Sequence, residues 1–145
     1  MDTNLPLINI EELTELLVKK SAVKQRVIIA IAGPPASGKS YLAKTISKQL
    51  NLSQNEFASI FPLDGFHYDN TFLISSGLLK RKGAIQTFDF GGFYHTLKRL
   101  YKRDEKEVAV PVFDRDIEIS RAGARVINSK ISIIIVEGNY LLINI

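Results

Sequence analysis

Residues 33–40 read Gly-Pro-Pro-Ala-Ser-Gly-Lys-Ser, which satisfies the spacing G-x-x-x-x-G-K-[ST] in full. Each fixed position serves phosphate chemistry. Glycines at 33 and 38 tolerate dihedrals that a Cβ forbids, so the backbone can turn tightly and present successive N–H groups to phosphate oxygens. A helix opening at Ser40 adds its own unpaired amides and the positive end of its dipole. Lys39 has the reach for the β- and γ-phosphates of ATP, and the Ser40 hydroxyl is placed to ligate Mg²⁺. Pro34, Pro35, Ala36 and Ser37 form the loop between the glycines and Tyr41 follows it, so 33–41 is the expected nucleotide contact. A turn that binds nothing would require neither the lysine nor the serine.

Three acids follow apolar runs: Asp64, Asp114 and Glu137. In open α/β sheets, ligands lie beyond the carboxyl ends of the strands. An acid in that position can hold the water shell of a metal or accept a substrate proton. Glu137 comes straight after Ile133-Ile134-Ile135-Val136 and is expected to serve Mg²⁺ through water. Asp64 precedes Gly65, and Asp-Gly is also a turn signal, so a purely local role stays open for it.

These groups need a scaffold, and the hydrophobic pattern supplies one. Arg26 to Ala32 is a continuous β-branched run, the signature of a parallel strand buried on both faces. Ser40 to Leu50 repeats Leu42, Ile46 and Leu50 at helical spacing. Phe57 to Leu63, Val108 to Phe113 and Ser132 to Val136 read as further strands, and a basic helix carries Leu97, Leu100 and Tyr101. Strands alternating with helices predict an α/β fold with a mostly parallel sheet. Val108 to Phe113 is counted as its third strand, ending on Asp114. Ahead of this core at 26–145, residues 1–25 are expected to hold an amphipathic helix and a linker. In that helix Ile10, Leu13, Leu16 and Leu17 share a face, and Asn9 is the N-cap. Beyond Val136 the sequence continues only as EGNYLLINI, apolar and without a closing helix, so the sheet is expected to be C-terminally incomplete. Tyr140 to Ile145 would then favour association, for example into a homodimer, or misfolding.

Bulk composition narrows the functions. Nineteen basic and 15 acidic residues leave a net charge of +4, suited to an anionic ligand but too evenly spread for a nucleic-acid surface. Cysteine is absent, which rules out disulfides and Cys-based metal sites. No apolar run approaches the ~20 residues of a membrane helix, and the acidic N-terminus is unlike a secretory signal. A cytoplasmic protein acting on a small molecule, without nucleic-acid or membrane partners, is the expectation. His95 has no second ligand at metal spacing, and the mixed charges of Lys98 to Glu107 read as a solvated helix end and loop.

The ordered set GPPASGKS, LDGFH at 63–67, RKG and TFD within 81–89, PVFDR at 111–115 and EGNYLL at 137–142 resembles the uridine kinase, phosphoribulokinase and bacterial-type pantothenate kinase group. The resemblance covers about residues 26–143. It implies the three-layer P-loop NTPase sandwich and transfer of the ATP γ-phosphoryl group to a hydroxyl of a nucleoside, sugar or pantothenate-like acid. Asp64 would then orient or deprotonate that hydroxyl, Lys39 would stabilise the transferring group, and Ser40 and Glu137 would organise Mg²⁺. By the same resemblance His67, Lys82, Phe113, Asp114 and Arg115 line the acceptor pocket. Two departures stand out. Pantothenate kinases usually carry Tyr and His where this chain has Phe113 and Arg115, and Arg115 introduces a forked cation suited to carboxylate or phosphate. Family members also continue past the Glu137 strand into an arginine-bearing lid and adenine-binding segments. An NTPase without an acceptor, or a nucleotide-binding remnant, remains the alternative.

Overall fold

The computed structural model describes residues 6–23 and 26–142. The first residues, the linker at 24–25 and the last three residues of the apolar terminus lie outside these. In chain order the elements are α1 (Ile10–Val23), β1 (Val27–Ala32), α2 (Lys39–Ser53), β2 (Ala58–Pro62), α3 (Asn70–Ser75), α4 (Phe90–Lys102), β3 (Glu107–Asp114), β4 (Ile119–Asn128) and β5 (Ile133–Gly138). A 3-10 turn over Leu63–Phe66 follows β2 directly.

The last strand in sequence is the central one in space. β5 pairs in parallel with β1 on one side and β2 on the other, giving the order β1-β5-β2. Every residue of β5 is buried, which is why its sequence is apolar without alternation. Strand periodicity then divides the run between two faces. Ile133 and Ile135 pack with Val27, Ile31, Ala43, Ile46, Leu50 and Leu17. Ile134 and Val136 pack on the opposite face with Phe61, Phe93, Leu100, Val110 and Ile127. Full burial of each such side chain contributes about 1.5–3 kcal/mol. The result is three layers: α1 and α2, the sheet, then α4 with a β-hairpin.

That hairpin corrects one expectation. Val108 to Phe113 does form a strand, but β3 pairs antiparallel with β4 in a separate two-stranded sheet and does not join the parallel one. Its alternating exposure, with Val108 and Val110 buried and Glu107 and Ala109 exposed, marks a ribbon covered on one face. Asp114 therefore ends a hairpin strand and not a strand of the main sheet.

At the start of α1, Asn9 caps as expected. Its side-chain oxygen accepts from the Glu12 amide at 2.9 Å, and the Glu12 carboxylate accepts from the Asn9 amide at 3.1 Å. At the other end of the chain, Tyr140 and Leu141 pack against the second core cluster, while Leu142 is exposed.

Arg26, 3% exposed, ties three elements together. Its guanidinium donates to the carbonyls of Ile131 at 2.8 Å, Asn128 at 3.1 Å and Leu100. Burial, with Arg103 nearby, lowers its pKa to about 10. Replacing Arg26 with Met should leave those carbonyls without donors and cost about 2–4 kcal/mol of stability. Urea denaturation measures this, and a midpoint equal to wild type would show that the three bonds hold nothing.

Candidate active site

Parallel register brings the chemistry to one edge of the sheet. Glu137 on the central strand is level with Ile31 of β1 and Pro62 of β2. Gly33 and Asp64 each lie two residues beyond those partners, on either side of Glu137. With strands about 4.8 Å apart, the start of the phosphate loop and the Asp64 carboxylate flank the glutamate within roughly two strand widths.

The loop between β1 and α2 has the conformation that anion binding needs. Ala36 and Gly38 both adopt positive φ, 60° and 86°, and Gly38 leads directly into the helix. A Cβ at Gly38 would meet nothing within 4 Å, so glycine is needed there for its dihedral and not for space. At Gly33 the reason is the reverse, because a Cβ would lie 2.9 Å from the Ser37 hydroxyl oxygen and fill the concave side of the turn. The first amides of α2 have no intrahelical acceptor. Lys39 folds over the loop, its ammonium donating to the Pro34 carbonyl at 2.6 Å.

Next to the loop opens a cleft of about 310 Å³. Ser40 and Lys44 of α2 form one wall, Ile60, Pro62 and Asp64 the floor, and Val112, Phe113, Arg115 and Arg125 of the hairpin the other wall; Glu137 lies at its head. Asp64 is held at the start of the 3-10 turn, where its carboxylate pairs with Arg115 at 3.0 Å. The exposures of the two side chains, 27% and 72%, place the carboxylate in the floor and the guanidinium at the rim.

The structure brings Ser40, Asp64, Phe113, Arg115 and Glu137 into this cleft. It sets the other predicted acceptor residues around it. His67 lies between Phe88 and Phe113, tilted to each ring with centroids 4.0 and 4.9 Å away, and its Nδ1 meets the Asp64 carbonyl at 2.9 Å. Its contacts support the Asp64 turn from behind. The Lys82 ammonium bonds the Asn70 side chain at 2.7 Å and the Glu118 carbonyl, and lies 5.2 Å from the centre of the Phe113 ring. It thereby latches the hairpin tip to the loop before it. Asp114 pairs across the hairpin with Arg121 at 3.2 Å and caps the Asp116 amide. Tyr41 is exposed beside the loop, and His95 is exposed on α4. Two cations in the cleft were not singled out from the sequence. Lys44 is four residues along α2 from Ser40, a spacing that puts it on the same helix face. Arg125 belongs to β4, whose pattern is broken by Gly123 and by two arginines and so does not read as a strand.

The donor set fits a magnesium ion shared with phosphates. Among the described residues no cluster of three or more His, Cys, Asp or Glu could hold a metal alone. The Ser40 hydroxyl and the Glu137 carboxylate share the cleft, a donor pair suited to Mg²⁺, which takes few protein ligands beside phosphates and water.

A parallel sheet with a G-x-x-x-x-G-K-S turn at its carboxyl edge and a Glu on the neighbouring strand defines a P-loop protein. Comparison with known proteins gives the particular family. No protein-family model matches the chain. A protein of Schizosaccharomyces pombe named "putative uridine kinase" is 35% identical over 139 residues, covering 92% of this chain and 59% of that protein. Pantothenate kinase of Coxiella burnetii is 28% identical over 134 residues, covering 92% and 42% respectively. The crystal structure of a "putative fructose transport system kinase" from a Silicibacter species matches with a TM-score of 0.78 and 34% identity, over 96% of this chain and 67% of that one. The chain belongs to the P-loop kinase group that includes uridine kinase and pantothenate kinase. It spans about 40–60% of the length of the curated relatives just described. No helix among the described residues is long and apolar enough to cross a membrane.

Gly65, next to Asp64, is packed against the hairpin. A Cβ there would lie 2.7 Å from the Pro111 carbonyl oxygen and 3.1 Å from its carbon. Both are backbone atoms, so β3 or the Asp64 turn must shift. Gly65→Ala should cost about 1–3 kcal/mol of stability, measured by thermal unfolding. An unchanged transition would mean that the hairpin yields freely.

Proposed function

We propose that the chain carries the catalytic core of an ATP-dependent kinase that phosphorylates a hydroxyl of a small metabolite. The observation behind this reading is the cleft itself. It joins the phosphate side, with Ser40 and Glu137, to a second wall that an ATP hydrolase would not need, built from Phe113, Arg115 and Arg125 around Asp64.

The backbone amides of Gly33 and of residues 36–40, with the Lys39 ammonium, bind the β- and γ-phosphates and fix the γ-phosphorus toward Asp64. Ser40 and Glu137 would hold Mg²⁺, which would neutralise the charge that spreads over the phosphate oxygens. Asp64 accepts a hydrogen bond from the acceptor hydroxyl and so aims its oxygen at the γ-phosphorus. As that oxygen bonds to phosphorus, the bond to the β–γ bridging oxygen breaks, ADP leaves, and the hydroxyl proton passes to Asp64. Positioning and charge supply most of the rate in phosphoryl transfer, with proton removal one part among several. His67 and Gly65 act on this step only through the place they give Asp64.

Acceptor-dependent ADP release, screened over nucleosides, sugars and hydroxy acids, tests the reading. Lys39→Ala should lower turnover by about 100-fold or more with the fold intact. Full activity in that variant would remove the loop from the mechanism. Asp64→Asn should reduce kcat by about 10²–10⁴-fold while ATP affinity, read by calorimetry, changes less than about threefold. Equal losses in both would make Asp64 structural.

A further inference from the structure

Arg125 stands on β4 opposite Val110, and its side chain crosses to the outer edge of the parallel sheet. One terminal nitrogen, Nη2, donates to the Ile60 carbonyl of β2. Its Nε is buried and has no hydrogen-bond partner. Among the described residues no carboxylate comes within ion-pair distance of it. Desolvation pushes the pKa of this guanidinium down. A buried, partnerless N–H is both costly and rare. Holding one carbonyl would need only an amide or a hydroxyl, so the forked cation points to something more than a strut.

The position of Arg125 supplies the reason. It lines the same cleft as Asp64, and Arg115 lines it from the opposite end of the hairpin. Arg115 is exposed, and Asp64, at 3.0 Å, is its ion-pair partner. Away from the phosphate side, the cleft therefore presents two guanidiniums against one carboxylate. Once Asp64 faces an acceptor hydroxyl, neither arginine retains a protein counter-charge. A guanidinium fork matches a carboxylate or a phosphate in two parallel bonds, whereas a neutral polyol offers it no such match.

We propose that the acceptor is an anionic metabolite, a hydroxyl compound bearing a carboxylate or a phosphate, and that Arg125 and Arg115 bind its anionic group while Asp64 takes its hydroxyl. This rests on the kinase reading of the cleft and adds the class of its substrate. Arg125 is held in place by its Ile60 bond and sets specificity. Arg115 exchanges Asp64 for the incoming anion, which releases the carboxylate toward the hydroxyl. A neutral acceptor leaves both cations unpaired and is selected against for that reason.

Three probes on one carbon skeleton test this: glycerol, glycerate and glycerol 3-phosphate. Each is titrated by calorimetry into the 145-residue chain saturated with a non-hydrolysable ATP analogue and Mg²⁺. One of the two anions should bind at least about tenfold more tightly than glycerol, and which one does so separates carboxylate from phosphate. Arg125→Gln should erase about tenfold of that preference while affinity for the ATP analogue moves less than about twofold. Arg125→Lys should restore only part, because it returns the charge without the fork. Equal affinity for all three probes in the wild-type chain overturns the proposal without any variant having to fold, and so does an anion preference that survives in Arg125→Gln. Failure of the ATP analogue to bind would strike the kinase reading instead, and the same three titrations without nucleotide would still decide the anion preference.

Discussion

A single strand, buried on both faces, governs where everything else can stand. β5 lies between β1 and β2, and its isoleucines and valine supply both cores in alternation. Such a strand can carry a charged group only where the apolar layers end. Glu137 sits at that point, in register with Ile31 and Pro62. The same register delivers the β1 chain to Gly33 and the β2 chain to Asp64 at one edge. Removing the carboxyl-edge alignment would scatter three groups whose individual chemistry is ordinary.

The remaining elements form the two sides of the cleft. The β1–α2 turn offers amides, a helix terminus and Lys39, all suited to phosphate and indifferent to what lies beyond it. The β3–β4 hairpin sits outside the parallel sheet and is free to vary without disturbing that register. It is fastened by Lys82 at its tip, by the close approach of Pro111 to Gly65, and by Arg125 at β2. A mount of this kind holds Phe113, Arg115 and Arg125 against the cleft without involving the sheet's own pairing.

The strong signals in the sequence were local and periodic, and those translated directly. The Gly-Lys-Ser spacing, the isoleucine run before Glu137 and the Asn9 cap each depend on a few neighbouring residues, and each stands in the structure where the pattern put it. Information in long-range pairing was not legible. Val108 to Phe113 looked like one more strand of the sheet because nothing local distinguishes a hairpin strand from an edge strand. Its partner, Ile119 to Asn128, is interrupted by exposed Arg121, Ala122, Gly123 and Ala124, so it gave no strand pattern. Arg125 was hidden with it, since its importance arises from a contact with Ile60, 65 positions away. Asp64 and Asp114 stood out as acids closing apolar runs, and Phe113, Arg115 and Lys82 through the resemblance; Asp64, Phe113 and Arg115 share one cleft, whereas Lys82 and Asp114 make their contacts within and around the hairpin.

If β5 sets the site, nucleotide phosphates lie at the carboxyl edge of β1-β5-β2. An amide chemical-shift titration of the isotope-labelled chain with a Mg²⁺-bound, non-hydrolysable ATP analogue locates them. Saturable shifts are expected on Gly33, on Ala36 through Tyr41 and on Gly138 at the end of β5. No saturable shifts, or shifts confined to the far end of the sheet near Arg26 and Ile131, would contradict that placement.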